Sequence, residues 1–367
     1  MRFTRTLILV GAAACCAWFA PQPGIAGDVQ QTPLTPEAFA LATDGAAAPP
    51  QSPVVPPNAF SLDAPPNAQD VDDKLVEEPK YACACGCGIF EVGTASMLPR
   101  GAGGMLYLEY DYQNQNINWS GVKPAPSTAN GDKEIRTDFV TLGLEYFFNR
   151  SWGFQVELPY DDRFFKTTGA NGDVDSIEWG DFGDARLQAI YTGFFEDQSL
   201  GVNFGTKVPT GSWTHNDSND DADRDSELGT GTVSLLAGGF YRHQITDSIT
   251  GFTQVLLDAP VTQTAGYRPG VEADGSFGVY VTGIKVGGVS ITPIGQLLVS
   301  ERGHDSGPNA AHPLASGYQR LLLSPGLEFD VHPLTFYADV EVPFYQHFSG
   351  DQLTAPLLFK FIMTYHF

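Results

Sequence analysis

The sequence predicts an all-β protein: a transmembrane, antiparallel up-and-down β-barrel of about 12 strands behind a disordered N-terminal tether. Three observations carry that expectation. From about Gly104 onward, the chain is a succession of segments whose apolar residues recur at every second position. The connections between those segments are alternately short and long. The last segment keeps its alternation to the final residue, Phe367.

Successive side chains of a strand point to opposite faces, so period two separates an apolar face from a polar one. In Met105 to Gln113, Leu106, Leu108, Tyr110 and Tyr112 oppose Tyr107, Glu109, Asp111 and Gln113. Val140, Leu142, Leu144, Tyr146 and Phe148 oppose Thr141 and Glu145. Trp152, Phe154, Val156, Leu158 and Tyr160 oppose Gln155, Glu157 and Asp161. Leu321, Leu323, Leu327, Phe329 and Val331 oppose Ser324, Glu328 and Asp330. Phe336, Ala338, Val340, Val342 and Phe344 oppose Tyr337, Asp339 and Glu341.

A soluble sandwich alternates too, but its loops lack the asymmetry seen here. Asn149 to Ser151, Glu196 to Ser199, Thr246 to Ser248, Gly287-Gly288 and His332-Pro333 are short. Ile117 to Lys133, Thr167 to Glu178, Thr214 to Leu228, Thr262 to Asp274, Gly303 to Gly317 and His347 to Gln352 are read as the long ones. Short periplasmic turns and long outer loops mark outer-membrane barrels, whose strand number is even. Both chain ends then fall on the periplasmic side. The last strand reads Leu357, Phe359, Phe361, Met363, Tyr365, Phe367, with Lys360, Thr364 and His366 between them. An open edge in lipid would strand backbone groups, so this segment must pair with the first. Its ending, Tyr365 and Phe367, resembles the signal read by the barrel-insertion machinery.

Composition narrows the partners. Against 43 Asp+Glu stand 20 Lys+Arg, a formal charge of −23, which argues against nucleic acid. The N-terminus reads as an export signal over residues 1–26. Arg2 and Arg5 precede an apolar run from Leu7 to Ala20, and Gly24-Ile25-Ala26 places cleavage after Ala26. A lipoprotein reading would acylate Cys15 or Cys16, but the leucine expected three residues before the cysteine is missing. Residues 27–80 read as a Pro/Ala-rich disordered linker, with too little apolar surface to offset the entropy of ordering. Residues 81–103 read as a Cys-rich periplasmic segment, and residues 104–367 as the outer-membrane barrel.

Several phrases resemble one outer-membrane family. They are Leu158-Pro159-Tyr160, Gly180-Asp181-Phe182-Gly183-Asp184, Lys207-Val208-Pro209-Thr210-Gly211, Leu228-Gly229-Thr230-Gly231, Ser324-Pro325-Gly326-Leu327 and Val342-Pro343-Phe344-Tyr345. Their order and spacing are similar to those of the family named for the MetA pathway of phenol degradation, over most of residues 104–367. The resemblance implies a transporter-type barrel associated with aromatic or other small organic compounds. The cysteine segment and its proline-rich leader fall outside the pattern.

Three features carry candidate chemistry. Cys83, Cys85 and Cys87 share one face of an extended backbone, so their sulfurs can converge on Cu(I), or on zinc with a fourth ligand. A disulfide with one thiol left over, a structural plug, or a site of intermolecular pairing is the alternative. Asp217 to Glu227 carries oxygen ligands at alternate positions but lacks the central glycine of an EF-hand loop. It reads as a solvated acidic surface loop, bridged to lipopolysaccharide by divalent cations. The polar faces put Glu109, Asp111, Glu145, Glu157, Asp161, Arg163, Arg186, Lys207, Arg242, Asp258, Glu328, Asp330, Asp339 and Glu341 in the lumen. Acid exceeds base, so a wet lumen favours cations, unless the charges pair and fill it. His304 and His312 read as surface residues.

No Gly-x-Ser-x-Gly or HExxH pattern occurs, and an enzyme is not expected. The first expectation is a small-molecule channel or transporter in the outer membrane, in contact with its lipid and lipopolysaccharide. The alternative is a metal-handling barrel using Cys83, Cys85 and Cys87. The third is a structural or surface-binding barrel.

Overall fold

The computed structural model describes residues 98, 102–168, 172–215, 224–310 and 312–367. The expected export signal, linker and cysteine triplet lie outside the described residues. The strands are β1 (Gly103–Gln115), β2 (Ile117–Gly121), β3 (Lys123–Pro124), β4 (Asp132–Phe147), β5 (Trp152–Thr168), β6 (Val174–Phe182), β7 (Ala185–Tyr191) and β8 (Leu200–Val208). They continue with β9 (Ser234–Gln244), β10 (Ile249–Pro260), β11 (Glu272–Val281), β12 (Ile284–Val286), β13 (Val289–Arg302), β14 (Tyr318–Val331), β15 (Leu334–Thr354) and β16 (Leu358–His366).

Each strand pairs antiparallel with its neighbour around a closed ring of 12. The ring is β1, β4, β5, β7, β8, β9, β10, β11, β13, β14, β15 and β16, and β16 returns to β1. Closure runs from Met105↔His366 to Gln113↔Leu358. Phe367 and Gly104 extend it by exchanging two backbone hydrogen bonds of 2.9 Å. The smaller strands decorate this ring. β2 and β3 lie in the first long loop, where β2 pairs with the upper part of β15, and β12 forms a tight hairpin with β13.

The alternation read from sequence maps onto the two faces of the wall. Leu106, Leu142, Leu158, Leu323, Phe359 and Phe361 point outward, while Tyr107, Ile135, Leu322 and Ile362 are buried inside. Such an apolar outer face on a closed barrel is covered by lipid, and the protein sits in the outer membrane. Aromatics gather where the short turns lie. Tyr365, Phe367, Tyr146, Phe148 and Phe154 form a run of ring contacts at 5.4 to 6.4 Å, and Trp152 meets Tyr191 at 4.8 Å. The Tyr365 and Phe367 side chains thus belong to an interfacial girdle. No helix among the described residues is long and apolar enough to cross a membrane.

Two segments expected as long loops are instead strand. Thr167 to Glu178 is largely the β5–β6 hairpin, and His347 to Gln352 lies within β15. A ladder that has begun in the wall continues beyond it, because each added pair satisfies two more backbone groups.

The wall ladder shifts register between Asp132 and Glu134, between Leu321 and Leu322, and where β5 passes from β7 to β6. Tyr160 faces Phe182 and Glu157 faces Arg186, so one more residue lies on the β6–β7 side than on β5. This is a β-bulge at Gly183-Asp184, opposite Pro159, which has no N–H to give the ladder. Gly183 N donates to Pro159 O at 3.0 Å, and Asp184 turns into the barrel. Gly180 to Asp184, one of the phrases of the family resemblance, lies across this interruption.

Inside the wall, the Tyr107 ring lies flat on Gly143 of the next strand. A Cβ there would sit 1.9 Å from the ring. Gly143→Val should therefore overpack the lumen by about 1–3 kcal/mol, read as a lower urea midpoint for the barrel folded in vesicles. An unchanged midpoint would mean that Tyr107 moves aside freely.

Candidate functional site

The lumen is built in three levels. At the level of the short turns is an apolar collar of Tyr107, Phe252, Tyr280, Ile294, Tyr337 and Ile362, projecting inward from six strands. Leu98, from the segment before β1, packs into the collar and is 5 % exposed.

Above the collar is a belt of paired charges and hydrogen-bonded polar groups. Lys360, 4 % exposed, meets Glu109 at 2.5 Å and Asp111 at 3.1 Å. Tyr107 Oη donates to Glu157 at 2.6 Å, and Gln155 Nε2 donates to both at 2.8 and 3.0 Å. Arg186 stands 3.9 Å from Glu157. Ser324 and Tyr337 donate to Asp339 at 2.5 and 2.8 Å. Lys207 pairs with Asp258, and Tyr318 donates to Glu272. A buried charge is tolerated when it is paired and hydrogen-bonded, which explains why these groups come in sets.

The outer level is made by loops folded inward. Arg163, on β5, donates to Thr137 Oγ1 at 3.0 Å, to the carbonyl of Ser226, and to that of Glu227 at 3.4 Å. Asp184, turned inward by the bulge, accepts from Gly211 N at 3.1 Å, Thr230 N at 2.8 Å and Thr230 Oγ1 at 2.6 Å. One carboxylate therefore ties both feet of the loop between β8 and β9 to the wall. Arg224 of that loop lies 4.3 Å from the Trp213 ring and 5.1 Å from the Tyr267 ring, joining it to the β10–β11 loop. Tyr267 Oη donates to Asp305 at 3.0 Å, and Arg302 meets Asp305 at 2.8 Å. Burial pushes the Tyr267 hydroxyl well above its ordinary range, so it remains a donor.

Beneath this roof is a cavity of about 250 Å³. Its lining mixes Phe139, Ile190, Phe240 and Leu256 with Glu145, Glu157, Asp161 and Lys207. A second hollow of about 310 Å³ lies beside Gly103, Phe147, His332 and Phe367 at the short-turn end. Leu98 and Glu145 border both spaces. The mixed lining suits a small guest that is part apolar and part polar.

Of the residues read as luminal, Asp330 is exposed, beside the short-turn hollow. Glu109, Asp111, Glu145, Glu157, Asp161, Arg186, Lys207, Asp258, Glu328, Asp339 and Glu341 are all buried or half-buried on the inner side of their strands. Arg163 joins them, whereas Arg242 lies at the short-turn rim and donates to Asp197 O at 2.7 Å. The acidic loop departs from the expectation that it is purely solvated. Asp217 lies outside the described residues, but Ser226 and Glu227 are buried at the barrel mouth. Cys83, Cys85 and Cys87 lie outside the described residues. Sequence reasoning missed Leu98, Asp184, Glu272, Asp274, Arg302 and Arg320. It also set Lys360 between the outward residues of the last strand without carrying it through to the lumen.

No family model matches the chain, and no curated protein does. Among solved structures, an outer membrane channel from Pseudomonas putida F1 is similar, with a TM-score of 0.55 and 12 % identity over 76 % of this chain and 100 % of that one. The β domain of a Bordetella autotransporter follows at 0.43 and 13 % identity, covering 72 % and 100 %. A Pseudomonas aeruginosa FadL homologue follows at 0.40 and 10 % identity, covering 72 % and 90 %. At 12 % identity, the first likeness speaks to the fold.

The Asp184 anchor can be tested directly. Asp184→Ala leaves buried donors without an acceptor and should cost about 2–4 kcal/mol locally. The expected readout is faster trypsin cleavage after Arg224 in the folded barrel. Cleavage at the wild-type rate would show that other contacts hold the loop.

Proposed function

We propose that this barrel is an outer-membrane channel for small organic molecules, and that it transports its cargo without chemically altering it. The observation that carries this reading is the cavity of about 250 Å³ inside the wall, roofed by the β8–β9 loop and lined by both ring carbons and carboxylates. A structural barrel would gain more from filling that volume, since voids cost packing energy. The fold likeness to an outer membrane channel supports the reading. So do the six phrases that resemble a family associated with aromatic compounds. Three of those phrases, Gly180 to Asp184, Lys207 to Gly211 and Leu228 to Gly231, converge on Asp184 and build the roof. Acidic groups dominate the lumen, so neutral guests should pass more readily than anions.

The test is flux into liposomes holding the purified barrel, corrected for leak through protein-free liposomes. Barrel-dependent uptake is expected for phenols, with aromatic acid anions slower. Asp184→Ala, which loosens the roof, should raise both. Copper(I), supplied under reducing conditions, is the contrasting solute. Copper movement that requires Cys83, Cys85 and Cys87, with no organic flux, would overturn the channel in favour of a metal-handling barrel.

A further inference from the structure

We infer that the lumen cavity holds two one-carboxylate stations for a small organic ammonium ion, one at Asp161 and one at Glu145. The inference rests on the channel reading and names a class of cargo for it.

Most carboxylates lining the cavity already have partners. Glu157 accepts from Tyr107 and Gln155, and Asp258 pairs with Lys207. Asp184 holds the loop feet, and Glu109 pairs with Lys360. Glu272 accepts from Tyr318, and Glu227 accepts from His215 N at 2.7 Å. Asp161 and Glu145 differ. They are 6 % and 7 % exposed, and both line the cavity. Neither makes a hydrogen bond or an ion pair with any other described residue, and Asp161 Oδ1 is buried without a partner.

None of the described cations, Arg186 of the same lining included, makes an ion pair with either acid. Arg163 lies two residues from Asp161 on the same face and attracts it electrostatically, but makes no hydrogen bond or ion pair with it, donating among others to Thr137 and to the carbonyls of Ser226 and Glu227. Lys207 serves Asp258, Arg302 serves Asp305, and Lys360 sits between Glu109 and Asp111. A buried carboxylate without a counterion is costly. Here the missing counterion has space to enter, because the unpaired groups face a cavity rather than packed side chains.

The geometry narrows the ion. Glu145 faces Gln155 across β4 and β5, and Phe139 faces Asp161, six residues further along. At 3.3 Å per residue the two acids are ~20 Å apart along the strand pair. They cannot share one ion. No group of three His, Cys, Asp or Glu among the described residues is set to hold a metal. Each is a one-carboxylate station, which suits a monovalent ammonium. Glu157 lies between them on β5, so the acids form a file from the roof to Glu145, which faces Met105 at the short-turn side of Tyr107. Several stations of modest strength let a guest enter and still leave. Phe139, Phe240, Ile190 and Leu256 supply apolar surface for the rest of the guest. An alkyl or arylalkyl primary ammonium matches that mixture, and a small inorganic cation leaves the apolar wall unused.

The test uses the full chain, purified and folded in nanodiscs. Three probes of one shape are titrated calorimetrically: phenethylammonium, 2-phenylethanol and phenylacetate. Phenethylammonium is expected to bind at least about 10-fold more tightly than the alcohol, with phenylacetate weakest. Asp161→Asn and Glu145→Gln keep side-chain size and should each weaken the ammonium about 10-fold at its own station, so that calorimetry with either variant loses one of two ammonium sites while the alcohol is unchanged. Equal binding of ammonium and alcohol to the wild type overturns the subsite, whatever the variants do. Ammonium binding indifferent to both substitutions overturns the assignment to these two residues. Phenol flux in liposomes from the same preparation separates the two readings. Intact phenol flux without ammonium preference sinks the subsite alone. Absence of any barrel-dependent flux sinks the channel on which it rests.

Discussion

In the hydrocarbon of a membrane, water is absent, and a backbone N–H or C=O without a partner costs several kcal/mol. For a sheet the only remedy is to have no edge. The antiparallel pairing of β1 with β16 meets that demand, and the bonds between Gly104 and Phe367 carry it to the end of the chain. Much else in the barrel depends on closure. Once the ring is shut, every strand has one face toward lipid and one toward an enclosed space. Alternation along the sequence becomes a division between outside and inside. The terminal Phe367 is held by both demands at once, with its backbone in the ladder and its ring stacked on Tyr146 at the rim.

Closure also creates the problem that the interior must solve. Inward side chains cannot reach bulk water freely, yet many of them are charged. The structure resolves this in two ways at different heights. Near the short turns aromatic and aliphatic side chains meet around Leu98. Higher up it keeps polarity and pairs it, as Lys360 does with Glu109 and Asp111. A cavity remains where the wall groups are neither packed nor fully paired. Its position is set by the roof, because Arg163 and Asp184 draw the β8–β9 loop inward from opposite sides of β5 and the bulge.

How much of the barrel is legible in the sequence depends on the range of the interaction. Strand faces are local, and Leu106 to Gln113 or Trp152 to Asp161 declare theirs within a few residues. The closing strand is legible because alternation runs to Phe367. β11 is harder, since Glu272-Ala-Asp-Gly-Ser-Phe-Gly puts small residues on its outer face and blurs the contrast between the two faces. Glu272 and Asp274 escape notice for that reason. Leu98 carries no periodic signal, because one apolar residue outside a strand has no phase. The inward fold of Ser226 and Glu227 is illegible in a different sense. An acidic loop reads as solvated until Arg163 and Asp184, distant in sequence, are placed beside it. Pro159 and Gly183 are both visible, but only the register between their strands reveals a bulge.

That bulge links the two parts of the barrel usually treated as separate, the wall and the loops. Asp184 belongs to the wall by chain connectivity and to the roof by its hydrogen bonds. A regular ladder residue could not serve both, since its side chain direction would be fixed by the pleat. Proline opposite the bulge keeps the ladder from healing, because it has no N–H to offer. The local defect is therefore written into the sequence, and it holds the carboxylate where three donors from the loop feet converge. The roof is consequently anchored to an irregular point of the wall. Any motion that frees Gly211 and Thr230 must either break charge-assisted bonds or shift the bulge itself. Shifting the bulge would disturb the register of β7 against β5, which is held from Glu157↔Arg186 to Trp152↔Tyr191. Breaking bonds at Asp184 leaves that ladder intact, so the lower-cost route to an open roof runs through the side chain and not through the wall.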